Sequence, residues 1–141
     1  MSLKEPFSAL ILGDIVGKAG RTSFKKIFPR LKKRFNPDIV ILNGENLAGG
    51  FGLTEKLVRT FLIDYSVDVI TTGNHWHDKE EIFSFRDDYP NLLLPANMYN
   101  VSSHKRGYFI GRTSKGISYA VINLLGQVFM KGDNRSAFEV A

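Results

Sequence analysis

The sequence predicts an α/β fold that begins with a parallel strand–helix–strand–helix–strand unit. Three apolar runs each end in a small polar cluster: SALILGDI at 8–15, DIVILNGEN at 38–46 and DVITTGNH at 68–75. Successive clusters are about 30 residues apart, which is the length of one strand–helix–strand unit. Because ligands of such sheets bind beyond the carboxyl ends of the strands, the three clusters are expected to meet at one site.

The first unit joins an apolar strand to a basic helix. The run at 8–15 is apolar almost throughout, which predicts a strand buried on both faces. The segment after it has an apolar stripe at helical spacing: Phe24, Ile27, Phe28, Leu31 and Phe35. Pro29 interrupts this stripe, and a kink or break is expected there because a proline inside a helix costs about 3 kcal/mol.

The second and third units follow the same plan. Ile39–Leu42 is the predicted second strand, and Val67–Thr71 is the third. Between them a glycine-rich loop, NGENLAGGFGL at 43–53, leads to Thr54, which is expected to cap a helix. The apolar face of that helix consists of Leu57, Val58, Phe61, Leu62 and Tyr65.

A short helix and a hairpin are predicted after the third strand. Asp78 and Glu81 have the spacing of a capping box. The helix that they start carries Ile82, Phe83, Phe85 and Tyr89. A short strand is predicted at 92–94, and segments 107–112 and 117–125 flank the polar stretch TSKG, which predicts a β-hairpin. All these elements are assigned to a single domain, residues 1–141.

Composition favours a globular protein in a reducing compartment. The chain has 141 residues, of which 43% are hydrophobic and 12% aromatic, and this suffices for a sizeable core. It has no cysteine, which excludes disulfides and thiolate metal sites. No apolar run approaches the length of a membrane span, about 18 residues, and MSLKEPF lacks the apolar segment of a signal peptide. A soluble cytoplasmic protein without a membrane partner is expected.

Basic residues are concentrated in one segment. The net charge is +5, and eight of the 19 basic residues lie between Lys18 and Arg34. Such a cluster is typical of a surface that binds phosphate groups. The solvated face of an amphipathic helix is the simpler explanation, and from the sequence alone we favour it.

Five polar side chains at the three strand ends have the chemistry of a metal site with a neighbouring acid. Asp14 and Glu45 offer anionic oxygens, whereas Asn46 and Asn74 offer amide oxygens. Both types suit divalent cations that prefer oxygen ligands. One carboxylate can bridge two metal ions, and such a pair stabilises the attacking and leaving oxygens of a phosphate. The imidazole of His75 is suited to protonate a leaving alkoxide, because histidine titrates near neutral pH.

Each of these residues also has a structural explanation. Asp14 follows a strand and is a candidate cap of the next helix, and Asn46 lies in a glycine-rich turn. His75 is a candidate structural histidine, His77 more so, and His104 is expected to be exposed. A purely structural role is plausible for any one of the five residues. It is much less plausible for all five at once.

A nucleotide-cofactor site is disfavoured. Gly13, Gly17 and Gly20 have the spacing GxxxGxxG instead of GxGxxG, and no GxxxxGK[ST] motif is present. Asp14 directly follows the first of these glycines. Its negative charge would repel a pyrophosphate unless a metal ion were bound between them.

Five motifs, in order along most of the chain, resemble the bacterial YmdB-like family of calcineurin-type metallophosphoesterases. They are GDIVGKAGR at 13–21, NGENLAGGFGLTEK at 43–56, GNHWHDKEEI at 73–82, PAN at 95–97 and AVINLLGQVFM at 120–130. The GNH motif alone is only moderately specific for this family, whereas NGEN followed by GLTEK is much more specific for it. The family is associated with hydrolysis of 2′,3′-cyclic nucleotides.

The resemblance implies a layered α/β/β/α sandwich with a dinuclear metal site, usually described with iron or manganese; zinc and magnesium stay open. By motif, Asp14 and Asn46 correspond to ligands of the first metal ion and Asn74 to a ligand of the second. Glu45 corresponds to the bridging carboxylate. His75 corresponds to the proton donor.

The chain departs from the family pattern in two respects. The family usually has a tryptophan directly before the aspartate of its GNH motif, whereas here Trp76 precedes His77. Family members also continue further and carry three histidines, in HAE-like and THTH-like motifs, that complete both metal shells. This chain ends at Ala141 without them. The fold is therefore expected to be truncated, either because the chain is a fragment of a longer protein or because it is a natural short form. We favour the fragment and expect it to be inactive on its own.

The resemblance implies a phosphodiesterase. In the intact protein a metal-activated hydroxide would attack the phosphorus of a 2′,3′-cyclic nucleotide or related phosphodiester, and His75 would protonate the departing ribose oxygen. RNA ends are further candidate ligands, and a homo-oligomer is expected. Two alternatives stay open: a degenerate module that binds a nucleotide or RNA without hydrolysing it, and a docking protein that uses exposed apolar surface and the basic helix.

Overall fold

Four parallel strands form the central sheet of the structure, a computed structural model that describes residues 6–98, 107–130 and 134–141. The strands are β1 (Ala9–Leu12), β2 (Ile39–Asn43), β3 (Val69–Thr71) and β4 (Leu92–Leu93). They lie side by side in sequence order, and every neighbouring pair is parallel. The predicted parallel unit of three strands is confirmed, and β4 extends it.

Three helical segments connect the four strands of the sheet, and a fourth lies at the end of the described residues. They are α1 (Gly17–Phe35), α2 (Glu55–Arg59), α3 (Ile82–Phe85) and α4 (Ala137–Val140). α2 continues as a π-helical turn at Thr60–Asp64, and α3 continues as a 3₁₀ turn at Arg86–Asp88. In the described ranges, no helix has both the length and the apolar character needed to cross a bilayer.

α1 passes through Pro29 without a break, so the predicted break is wrong and the predicted kink stays a prediction. Pro29 lies on the exposed side of the helix. The carbonyl of Lys25, which loses its helical partner at this position, can therefore bond to water. Phe24 and Phe28 of the predicted stripe are buried and stack with ring centroids 4.5 Å apart.

The two predicted helix caps have different outcomes. The hydroxyl of Thr54 accepts a hydrogen bond from the backbone N–H of Leu57, which confirms the first cap. The capping box of Asp78 and Glu81 is wrong, because α3 begins only at Ile82 and no side chain caps it. Asp78 has a different partner, which is described with the candidate site below.

The main core fills the space between the helices and one face of the sheet. Aromatic rings of α1 and of the π-helical turn interlock there, with Phe24 and Phe61 4.8 Å apart between centroids. The strands contribute Val40, Leu42, Ile70, Leu92 and the adjoining Leu94 to this core. Trp76 is also buried in it.

A β-hairpin covers part of the other face. β5 (Tyr108–Arg112) pairs antiparallel with β6 (Ser118–Ile122), as predicted. The inner side chains of the hairpin are Phe109, Tyr119 and Val121, and they pack against Ile41, Val69 and Leu93 of the central sheet. The described residues thus place helices on one face of the central sheet and a second sheet on the other. The fourth layer of the predicted sandwich stays a prediction.

The first strand is less buried than its apolar sequence predicts. β1 is the edge strand of the sheet, and Ile11 on its hairpin side is 70% exposed. The hairpin packs over Ile41 of β2 and over the strands beyond it, so it leaves Ile11 uncovered. The expectation that β1 is buried on both faces is therefore wrong for this face.

Two buried asparagines join the sheets. Asn123, after β6, donates hydrogen bonds to the carbonyls of Thr72 and Leu93, at 2.8 and 2.9 Å. Asn97 donates to the carbonyl of Leu125 and accepts from its N–H, both at 2.8 Å. The PAN and AVIN motifs therefore hold the hairpin against the ends of β3 and β4.

Candidate active site

The loops that follow β1, β2 and β3 meet at one edge of the sheet. Backbone hydrogen bonds continue past the strand ends: the N–H of Ile15 donates to the carbonyl of Asn43 at 3.3 Å, and that of Gly44 donates to Thr71 at 2.9 Å. The loop at 43–53 also contacts the start of α1, where Gly17 donates to Asn46 at 2.9 Å. The predicted convergence of the three polar clusters is therefore present.

Asp14 and Asn46 are in direct contact across two of these loops. The amide nitrogen of Asn46 donates to the carboxylate of Asp14 at 2.6 Å. The amide oxygen of Asn46 is buried and has no hydrogen-bond partner among the described residues. A buried oxygen without a donor is unusual, because its desolvation is not compensated. This oxygen is therefore available to a cation.

The carboxylate of Glu45 lies between the second and third loops. One of its oxygens accepts from the side-chain amide of Asn43 at 3.2 Å, and the other accepts from the backbone N–H of His75 at 3.2 Å. The side chain of Asn43 also accepts from the N–H of Glu45 at 3.0 Å, which closes an Asx turn. Asn43 thus positions Glu45.

Gly73 makes room for this carboxylate. A Cβ atom at residue 73 would overlap both carboxylate oxygens of Glu45. Asn74 follows directly and is half-buried, and its side chain forms no hydrogen bond with another described residue. Asn74 therefore lies between two residues that contact Glu45, with its amide oxygen uncommitted.

The imidazole of His75 is held by a residue that the sequence analysis assigned to a helix cap. Its Nδ1 atom lies 2.6 Å from the carboxylate of Asp78, and both side chains are about one-third exposed, at 37% and 32%. The ring also makes an edge contact with Phe51, at 5.4 Å between centroids. Because Asp78 engages Nδ1 as a donor, Nε2 is the nitrogen left to exchange a proton. The spacing of three residues in HWHD was the available signal for this pair.

Among the described residues, the other histidine, His77, does not join the cluster. His77 is exposed, and its ring lies against Trp76 at 5.2 Å between centroids. The WHD order therefore places this second imidazole against Trp76 on the surface. His104 lies outside the described residues.

A comparison with known protein families decides the affiliation of the chain. The family described as YmdB-like protein matches residues 10–141. The chain belongs to this family. The resemblance inferred from the five motifs is thereby confirmed.

Curated relatives of this YmdB-like chain are named as phosphodiesterases or phosphatases. It is 46% identical over 121 residues to the 2′,3′-cyclic-nucleotide 2′-phosphodiesterase of Bacillus subtilis (strain 168), covering 86% of this chain and 45% of that protein. It is 42% identical over 90 residues to a putative phosphatase/phosphodiesterase of Mycoplasma pneumoniae, covering 63% and 31%. The chain thus spans less than half the length of these relatives.

Two solved structures share the fold. A novel phosphatase from Mycoplasma pneumoniae superposes with a TM-score of 0.80 at 32% identity, over 95% of this chain and 48% of the other. A hypothetical protein from Thermus thermophilus superposes with a TM-score of 0.81 at 26% identity, over 95% and 50%. The fold of the YmdB-like chain, mixed α/β with a parallel sheet, is therefore one that a known phosphatase structure shares.

The cluster fits one part of a metal shell. The available donors are the carboxylates of Asp14 and Glu45 and the free amide oxygens of Asn46 and Asn74, a set that suits hard divalent cations. No group of three histidine, cysteine or acidic side chains that could hold a metal is present in the described part of the YmdB-like chain. The oxygen donors that the family pattern predicts therefore lie on converging loops, and their role as metal ligands stays a prediction.

Proposed function

We propose that the protein is a metal-dependent phosphodiesterase that hydrolyses 2′,3′-cyclic nucleotides or related phosphodiesters at this cluster. The observation that carries the proposal is the uncommitted, buried amide oxygen of Asn46 beside the carboxylate of Asp14. The names of the Bacillus and Mycoplasma relatives support the reaction class. Since the chain spans less than half of those relatives, the proposal concerns the whole protein that contains it.

The proposed metal ligands are Asp14, Glu45, Asn46 and Asn74, and the family resemblance favours two iron or manganese ions. Bound cations of this kind would offset charge on the phosphate and lower the pKa of the attacking water. Glu45 is suited to the bridging position, because its carboxylate is fixed between the second and third loops by hydrogen bonds to both of its oxygens.

His75 is the proposed general acid. Asp78 orients its ring through Nδ1, so that Nε2 can deliver a proton to the departing ribose oxygen. Phe51 packs against the edge of the ring and restricts its rotation. A general acid in a fixed position typically contributes about 10²–10⁴-fold to the rate.

A turnover assay separates this proposal from the binding-module alternative. The whole protein that contains this chain is purified, loaded with manganese or iron and incubated with 2′,3′-cyclic AMP, and the nucleoside monophosphate product is quantified by chromatography. We expect product with metal and none after chelation. Saturable binding of the cyclic nucleotide without product would contradict the proposal and favour a module that only binds.

A further inference from the structure

α1 carries a concentration of positive charge that the proposed reaction does not use. The helix contains eight lysine and arginine side chains and no acidic residue. Because the whole chain has a net charge of only +5, the rest of it is acidic overall. A solvated helix face commonly carries acidic partners at neighbouring turns, and α1 has none of its own.

Four of these cations form a row along one side of α1. Lys18, Arg21, Lys25 and Lys32 recur at intervals of three, four and seven residues, which places them on one side of a helix. This side faces α2 and the π-helical turn, since the ammonium of Lys32 lies 3.5 Å from the carbonyl oxygen of Tyr65. At 1.5 Å per residue the row is about 20 Å long, which spans several phosphates of one strand.

A cleft of about 300 Å³ lies between α1 and the facing helical segment. Its lining residues include the basic residues Lys18, Arg21 and Lys25 and the hydroxyl-bearing residues Thr22, Thr60 and Tyr65. No carboxylate of a described residue lines it. Cations and hydroxyl donors without a competing carboxylate are the groups that bind phosphate oxygens.

The cleft adjoins the candidate active site. The guanidinium of Arg21 donates to the carbonyl oxygen of Leu47, the residue after Asn46. α1 itself begins three residues after Asp14. A nucleic-acid strand whose end lies at the proposed metal ligands can therefore continue with its backbone phosphates along the row of four cations on α1.

We infer that the cleft between α1 and α2 binds backbone phosphates of a single-stranded RNA whose 3′ end lies at the candidate active site. The choice of RNA rests on the proposed function, because a 2′,3′-cyclic phosphate requires a ribose 2′-hydroxyl. The protein would then act on RNA ends in preference to free cyclic mononucleotides.

A binding experiment tests the cleft without relying on catalysis. Fluorescence anisotropy measures the affinity of the protein for a labelled uridine octamer with a 3′-hydroxyl end, in the presence of a chelator. The test variant combines Lys18→Gln with Lys25→Gln and keeps Arg21, which contacts the loop of the site. The control combines Lys26→Gln with Lys33→Gln, which removes the same charge from another side of α1.

We expect the test variant to bind the octamer about tenfold more weakly at about 50 mM salt. The plot of log K against log salt should become shallower. Its negative slope should decrease in magnitude by about 1.4, which is about 0.7 for each phosphate that is no longer neutralised. The control should change the affinity less than about twofold, because its cations lie outside the cleft. Equal losses in both variants, or no binding by the unmodified protein, would overturn the inference. The inference would also be overturned if inorganic phosphate displaced the octamer when both supply the same concentration of phosphate groups.

Turnover then tests the substrate class. For an octamer that ends in a 2′,3′-cyclic phosphate, the test variant should lower kcat/KM about tenfold, whereas kcat/KM for 2′,3′-cyclic AMP should stay unchanged. An equal loss on both substrates would overturn the assignment of the cleft to RNA. Absence of turnover with either substrate would instead refute the proposed function, and the anisotropy result would still decide whether the cleft binds RNA.

Discussion

Gly73 shows how one residue without a side chain shapes the candidate site. The carboxylate of Glu45 occupies the space that a Cβ atom of residue 73 would fill. The backbone N–H of His75, two residues further on, then binds that carboxylate. The GNH motif therefore positions Glu45 as well as providing Asn74 and His75, and the sequence alone suggested only the second role.

The pair of His75 and Asp78 leads to a prediction for individual residues. His75→Ala should lower kcat about 10²–10⁴-fold while the metal content stays unchanged, because the variant removes a general acid and no proposed ligand. Asp78→Asn should lower kcat less and leave KM unchanged, since the acid is still present but is oriented less well. Steady-state kinetics and elemental analysis provide these values.

The matched control for this pair is His77→Ala, which removes an exposed imidazole two residues away. It should leave kcat within about twofold of the unmodified protein, as expected for a surface substitution. If His75→Ala and His77→Ala reduced kcat equally, the assignment of His75 as the acid would be wrong.

At the level of elements, the start of β2 is tied to β1 and to the hairpin through Asp38. Its carboxylate accepts hydrogen bonds from the backbone N–H of Ser8 at 2.8 Å and from its hydroxyl at 3.0 Å. The ammonium of Lys115, in the turn between β5 and β6, lies 3.0 Å away. The bond from the Ser8 N–H and then the bond from Lys115 lower the pKa of Asp38 below its usual value of 3.8.

This lowered pKa predicts how stability depends on pH. Since the folded state favours the ionised carboxylate, its stabilising contribution is complete above the pKa of the unfolded chain and is lost as the pH falls through the lower folded pKa. Asp38→Asn should therefore reduce the free energy of unfolding at about pH 7 and flatten its decline below about pH 4.

Urea unfolding from neutral pH down to about pH 2.5 measures this effect. Asp64→Asn is the control, because it removes the same charge from an exposed side chain at the end of the π-helical turn. The control should retain the decline of the unmodified protein at low pH. The role given to Asp38 fails if both variants show the same pH profile.

Elements could be predicted where the relevant interactions are local in sequence. The parallel strand–helix unit, the Thr54 cap and the hairpin follow from spacing, capping chemistry and turn residues. The burial of β1 could not be predicted in this way, because it depends on which strands the hairpin covers. The cap assigned to Asp78 failed for a related reason: a nearby imidazole competes for its carboxylate.

At the level of the whole molecule, the candidate site depends on three loops that the sheet brings together. Spacing was sufficient to predict that the loops after β1, β2 and β3 converge, since each follows a parallel strand at the same edge. Spacing could not show the hydrogen bonds through Asn43 and Asn123 that fix these loops. Asn123 directly follows β6, and only the packing of the hairpin places it beside the end of β3.

The account as a whole requires that this assembly holds divalent metal. The most direct measurement is the metal content of the purified protein and of Glu45→Gln, with Glu80→Gln as a control that removes the same charge from an exposed side chain. We predict that Glu45→Gln lowers the bound iron or manganese at least about tenfold. Removing a residue that only orients a metal ligand typically lowers metal affinity about 10–100-fold, and removing the bridging ligand itself should lower it at least as much. The control should retain the metal content of the unmodified protein. Equal metal content in all three proteins would contradict the account.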